Sequence, residues 1–113
     1  MNLDITTSGS TMVITLVRRF DAETAPEVES ELKRILQDSP KSVLFDFSRT
    51  EYVASAGLRV LLSTARTIKK YGGAITLCSL SPQVRHVFEI GGFVQIFTIY
   101  SSRDEALAHM RVK

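Results

Sequence analysis

The chain has 113 residues, 44% of them apolar and 23% charged, with a net charge of +2. That length and composition fit one globular domain with a real core, and so small a charge excess does not call for a nucleic-acid partner. No apolar run approaches the roughly 20 residues of a membrane helix, Met1-Asn2-Leu3-Asp4 lacks a basic-then-apolar signal pattern, and the lone Cys78 cannot form an internal disulfide; the expectation is a cytoplasmic protein with no membrane insertion and no direct nucleic-acid contact.

Residues 2–7 and 11–17 read as two strands. Met12, Ile14 and Leu16 alternate with Val13, Thr15 and Val17, and Ser8-Gly9-Ser10 supplies the turn of a hairpin. A helix is expected over 24–37, with Thr24 as cap, Pro26 in the first turn and Glu27 completing a Thr-x-x-Glu capping box. Val28, Leu32, Ile35 and Leu36 share its inward face, while Glu29, Lys33 and Asp38 point away. After Pro40, residues 42–47 form a nearly continuous apolar run, the pattern of a strand covered on both sides.

A second helix starts near Ser55 and runs to about 71. Leu58, Leu61, Leu62, Ala65 and Ile68 make its buried stripe, Arg59, Ser63, Arg66 and Lys70 face water, and Gly72-Gly73 stops it. Residues 74–80 read as another buried strand, in which Cys78 is an inert thiol. Ser81-Pro82 opens a third helix, with Val84, Val87 and Phe88 inward and Gly91-Gly92 at its end. Residues 93–100 contain the last strand. Ser102-Arg103-Asp104-Glu105 is a second capping box, opening a terminal helix with Ala106, Leu107 and Met110 inward. The order ββαβαβαβα specifies an α/β domain over 1–113: a mostly parallel central sheet, made mixed by the leading hairpin, with about four helices.

Catalytic patterns are missing from the sequence. His86 and His109 have no Cys, Asp or His at metal-ligand spacing, so no metal is assigned. There is no Gly-x-Gly-x-x-Gly and no Walker-type Lys-Ser/Thr, so no cofactor and no catalytic residue is assigned either. The informative stretch runs from Asp46 through a polar loop to Leu62, with the small residues Ala54, Ser55, Ala56 and Gly57 at the turn into the helix. Helix N-termini carry unpaired N–H groups and the positive end of the dipole. A serine there has two readings: an N-cap, worth about 1 kcal/mol, or a phosphate carrier at a place that favours negative charge.

Phe45-Asp46-Phe47-Ser48, followed by Tyr52-Val53-Ala54-Ser55-Ala56-Gly57-Leu58-Arg59-Val60-Leu61-Leu62, resembles the signature of the STAS family of anti-sigma factor antagonists. The stretch from Phe20 to Glu27 resembles the family's lead into its first helix, and the element order matches over essentially the whole chain. The resemblance implies a STAS-like fold and a partner-switching module. The unphosphorylated form binds a serine kinase of histidine-kinase-like ATPase fold that doubles as an anti-sigma factor. Phosphorylation of a serine at the start of the second helix abolishes binding, and a metal-dependent serine phosphatase restores it.

Many members read Asp-Ser-Ser-Gly-Leu where this chain has Ala54-Ser55-Ala56-Gly57-Leu58. Ser55, the only hydroxyl in the turn, is thus the candidate phosphoacceptor, and Asp21, Ala54, Ala56, Gly57, Leu58 and Arg59 are the candidate partner-binding residues. Asp21 reads equally as a turn or cap residue, and Arg59 as a solvated arginine. Asp46 is expected to accept loop N–H groups beneath Ser55, in a structural or an acceptor-positioning role. The absence of hydroxyls at Ala54 and Ala56 also suits an alternative that resembles another use of the domain, a non-phosphorylated subunit docked on a transport ATPase.

Overall fold

Val43, Leu44 and Phe45 are consecutive and all buried, which requires apolar cover on both faces of their strand. In the computed structural model, which describes residues 2–111, the chain runs β1 (Asp4–Ser8), β2 (Thr11–Thr15), β3 (Arg19–Phe20), α1 (Ala25–Ile35), β4 (Ser42–Asp46), β5 (Tyr52–Val53), α2 (Ser55–Lys70), β6 (Ala74–Cys78), α3 (Pro82–Ile90), β7 (Thr98–Tyr100) and α4 (Arg103–Arg111). Met1, Val112 and Lys113, the ends of the expected 1–113 domain, lie outside the described residues. The central sheet has the order β1-β2-β4-β6-β7. Its first pair is an antiparallel hairpin and every other pair is parallel, so the expected mixed α/β sheet is the observed one.

Strand register sorts the core by face. Ile14, Phe45 and Leu77 are cross-strand neighbours, and they share an apolar cluster with Val28 and Leu32 of α1, Leu61 and Ile68 of α2, and Val84 and Phe88 of α3. Phe88 meets Phe47 edge-on at 5.8 Å between ring centres, a favourable aromatic geometry. One residue along each strand the side chains point the other way. There Val13, Leu44 and Cys78 pack with Ala106 and Leu107 of α4. Each of the large side chains in these clusters contributes about 1.5–3 kcal/mol through burial. Leu62 and Ile75, expected inside, are half-buried at the margin of the larger cluster.

Several local expectations change. Thr24 occupies the N-cap of α1 but caps no helix N–H. Its hydroxyl donates to the Arg19 carbonyl at 2.6 Å and accepts from Asp21 N–H at 3.1 Å. The Asp21 carboxylate accepts the Glu23 and Thr24 N–H groups just before the helix, and of the two positions a cap at Thr24 could serve, Pro26 has no N–H. The second box is half-formed: Ser102 Oγ accepts from Glu105 N–H, while the Glu105 carboxylate turns to Ser101. Ser81 caps α3 as expected, accepting from Val84 N–H at 3.2 Å. The run 93–100 is a strand only at its end, after a short 3-10 turn at Phe93–Gln95.

α4 is fastened by charge as well as by apolar packing. Asp46, almost fully buried on the α4 face, accepts from Arg103 Nε at 2.8 Å, and Arg103 Nη2 donates to Thr15 Oγ1 at 3.1 Å. Removing one partner of a buried pair leaves the other uncompensated. Because the Arg103 side chain is 37% exposed, Arg103→Met is expected to lower stability by about 1–3 kcal/mol. A urea titration checks this, and an unchanged midpoint counts against the clamp. Burial pushes the Cys78 thiol up to about 11, with the Asp46 charge adding to the rise against a hydrogen bond from Ser79. Below that pH the group stays protonated, so a thiol reagent at mildly alkaline pH should label Cys78 only after denaturant is added.

Candidate functional site

The segments leaving β2 and β4 converge before each becomes a helix. Arg19 and Phe20 pair in parallel with Tyr52 and Val53, a two-stranded ribbon separate from the main sheet and unanticipated from sequence because each strand is only two residues long. Glu51 N–H donates to the Arg18 carbonyl at 2.7 Å and Ala54 N–H to the Phe20 carbonyl at 2.9 Å. The ribbon therefore sets the starting points of α1 and α2 against each other.

Gly57 makes this approach possible. A Cβ there would press on the Phe20 carbonyl oxygen and lie 2.8 Å from Cγ of its ring. Neither neighbour is the free end of a flexible chain, so only glycine fits. Ala54 and Ala56 keep the rest of the turn low. Ala54, in extended conformation, is the N-cap of α2, and no side chain caps its first turn. Ser55 is the first helical residue, which corrects its reading as the cap. It is exposed, and its hydroxyl makes no hydrogen bond to another described residue. The arrangement offers an unhindered hydroxyl beside helix N–H groups that lack intrahelical acceptors.

Asp21 lies at the other strand-to-helix junction, across the ribbon. Its carboxylate holds Glu23 N–H at 3.1 Å, Thr24 N–H at 3.2 Å and Arg19 Nε at 3.3 Å. Partial desolvation raises its pKa, but the hydrogen bonds from Thr24, Glu23 and Arg19, with the arginine charge, hold it below the usual carboxylate value. The Arg19 guanidinium also lies 4.8 Å above the centre of the Tyr52 ring, an exposed cation–π contact.

Arg59 is exposed one turn after Ser55 and lines two grooves. One, between α1 and α2, is floored by Ala22, Ala25, Ala56 and Val60. The other opens beside Ser55 between α2 and the end of α3, with Leu58, Leu62, Val87, Ile90 and Phe93 as apolar walls. Ile90 is 74% exposed. Neither Phe20 nor Ile90 was singled out by sequence reasoning. The signals available were a glycine inside an otherwise amphipathic helix for the first, and a large apolar residue outside the helical stripe for the second.

Asp46 does not lie beneath Ser55. It accepts loop Ser48 N–H at 2.8 Å as expected of a strand-end carboxylate, but its other oxygen pairs with Arg103 on the α4 face. α2 packs on the opposite face. The structure thus gathers Asp21, Ala54, Ser55, Ala56, Gly57, Leu58 and Arg59 around one ribbon and leaves Asp46 outside it. Among the described residues no group of His, Cys, Asp and Glu could hold a metal ion, and no helix is long and apolar enough to cross a membrane.

Comparison with known proteins agrees with the fold. The STAS domain family model matches residues 2–106. BtrV of Bordetella bronchiseptica, provisionally named an anti-sigma factor antagonist, is 42% identical over 84 residues, covering 74% of this chain and 72% of that protein. An anti-sigma factor antagonist from Mycobacterium paratuberculosis superposes with a TM-score of 0.87 at 26% identity, over 96% of this chain and 92% of that one. The anti-sigma factor antagonist SpoIIAA in its unphosphorylated form shares the fold, with a TM-score of 0.82 at 20% identity over 98% of this chain and 97% of that one.

The Gly57 contact makes its own prediction. Alanine is the better helix former by about 1 kcal/mol, yet here it must displace Phe20, and overpacking costs about 1–3 kcal/mol. Gly57→Ala is expected to lower the urea midpoint and to shift the amide resonances of Phe20 and Asp21. A stabilised variant would mean that the Phe20 backbone yields readily.

Proposed function

The chain belongs to the STAS domain family, and on that footing we propose that it is an anti-sigma factor antagonist working by partner switching in the cytoplasm. The unphosphorylated protein binds a serine kinase of histidine-kinase-like ATPase fold that also serves as the anti-sigma factor. Asp21, Ala54, Ala56, Gly57, Leu58 and Arg59 form the docking patch. The kinase phosphorylates Ser55 and is released, and a metal-dependent serine phosphatase restores the binding form. The observation that carries this reading is Ser55 itself, exposed and without a hydrogen-bond partner among the described residues, at the start of α2. The names of the relatives support the anti-sigma assignment.

The physical basis of the switch is local. A phosphate adds about −1.5 to −2 charges near neutral pH. At a helix N-terminus such charge is tolerated or mildly favourable, so the domain stays folded. The small residues Ala54, Ala56 and Gly57 let a partner's backbone approach closely, and a hydrated dianion at Ser55 obstructs that approach. A few kcal/mol suffices to end binding, since each ~1.4 kcal/mol is tenfold in affinity. The alanines at 54 and 56 also favour one other reading, a STAS subunit docked on a transport ATPase without phosphorylation.

Three variants and one assay separate these. Ser55→Ala is expected to bind the kinase constitutively, and Ser55→Asp to bind poorly while melting normally. Arg59→Glu is expected to weaken kinase binding about tenfold or more, equivalent to ~1.4 kcal/mol, with an almost unchanged thermal midpoint. Intact-mass measurement after incubation with the kinase and ATP should show one added phosphate in the wild type and none in Ser55→Ala. Uptake that persists in Ser55→Ala excludes Ser55 as acceptor, and no uptake in either protein favours the transport subunit.

A further inference from the structure

Arginines on this surface are nearly all matched with carboxylates. Arg18 pairs with Glu51 at 2.8 Å, Arg19 with Asp21 at 3.3 Å, Arg85 with Glu89 at 3.6 Å and Arg103 with Asp46 at 2.8 Å. Arg34 pairs with Glu31 and Arg49 with Asp4. Among the arginines whose side chains are described, Arg59 and Arg66 alone have no carboxylate within pairing distance among the described residues. Both are exposed, and both line the groove between α1 and α2.

Their placement is not that of two scattered surface charges. They are seven residues apart on α2, two helical turns and about 10.5 Å along the axis, with Ser63 between them on the same face. α2 contains no acidic residue at all, so no pairing within the helix competes for them. The groove floor is Ala22, Ala25, Ala56 and Val60, small enough for another helix to lie close. Opposite the arginines stands a single carboxylate of the lining, Glu29.

We infer that this groove seats an acidic helical segment of a partner protein, whose carboxylates, spaced about two turns apart, meet Arg59 and Arg66. For its place beside Ser55 the inference rests on the docking reading above, and it adds the chemistry of the opposing surface. A nucleic acid fits less well, because its evenly charged backbone would be drawn past Glu29 and Asp21 for only two cations. A membrane fits less well too, since the apolar lining offers only alanines, one proline and one valine to insert. An acidic protein helix places charge at two points and small apolar contact between them, which is what the groove presents.

The probe is a synthetic Ala-rich peptide of about 18 residues, long enough to form helix, carrying two glutamates seven positions apart, with a glutamine version as control. Titrated into the 15N-labelled full chain, the glutamate peptide should shift the amides of Ala25, Arg59, Ser63 and Arg66. Arg66→Gln should weaken binding about fivefold, as loss of one exposed pair allows, and the glutamine peptide, which loses both pairs, should weaken it further. Equal binding of both peptides, or shifts spread over Lys33, Lys41, Lys69 and Lys70, overturns the inference, as does displacement of the peptide by a short DNA duplex or by phosphatidylserine vesicles at the same salt. The titration needs no kinase. A failed titration with kinase binding still sensitive to Arg59→Glu removes this inference alone; a successful one with kinase binding insensitive to that change removes the docking reading and leaves this one standing.

Discussion

Between the first turn of α2 and the backbone of Phe20 there is no room for a side chain, and the geometry of the whole exposed end follows from that contact. Gly57 gives up about 1 kcal/mol of helix propensity relative to alanine so that the helix can rest on the Phe20 carbonyl and ring. With that distance set, Ala54 N–H reaches the Phe20 carbonyl, and the Arg19–Phe20 and Tyr52–Val53 segments lie close enough to pair. The ribbon in turn places Asp21 at the start of α1 and Ser55 at the start of α2 as neighbours across it. A larger residue at 57 would separate the helix from the ribbon and would separate the two junctions with it.

The sheet divides stability from interaction. Its α1–α3 face carries the large cluster built on Ile14, Phe45, Leu77 and Phe88. The other face carries a smaller cluster under α4, sealed by the Asp46–Arg103 pair. Neither depends on the Ser55 hydroxyl or on the Arg59 side chain, which lie in solvent at the edge of the first face. Chemistry at the turn can therefore change what the surface attracts without touching what holds the domain together.

How much of this was legible depended on the length scale of each signal. Periodicity over ten or more residues marked α1 and α2 and their inward residues, and the apolar run at 43–45 marked the central strand. The alternation in 11–17 and Ser8-Gly9-Ser10 gave the hairpin. What escaped was short or non-local. Two-residue strands have no period to read. Asp46 and Arg103 are 57 positions apart, and only the strand register shows that Asp46 faces α4 rather than α2. Thr24 failed as a cap because its hydroxyl is held by the Asp21 N–H and the Arg19 carbonyl, three and five residues earlier. The residues gathered at the site were legible because they lie in two continuous stretches, whereas the ring beneath them, Phe20, showed its role only in three dimensions.

The position of Ser55 within its helix matters as much as its hydroxyl. At the N-cap its oxygen would accept a backbone N–H from the first turn, and modifying it would break a bond on which the helix start relies. One place later, the cap is Ala54 in extended conformation, and the serine side chain has no such duty. The first-turn N–H groups stay unclaimed by any side chain, so the site keeps its affinity for negative charge. Around it the fixed carboxylates Asp21 and Glu51 are already matched by Arg19 and Arg18, which leaves Arg59 as the nearest uncommitted charge on the same helix face. An added dianion at Ser55 would thus meet a helix terminus and an arginine that favour it on its own domain, and a close-fitting partner surface that does not. On the proposed reading the free-energy difference would fall on the interface, where a switch requires it.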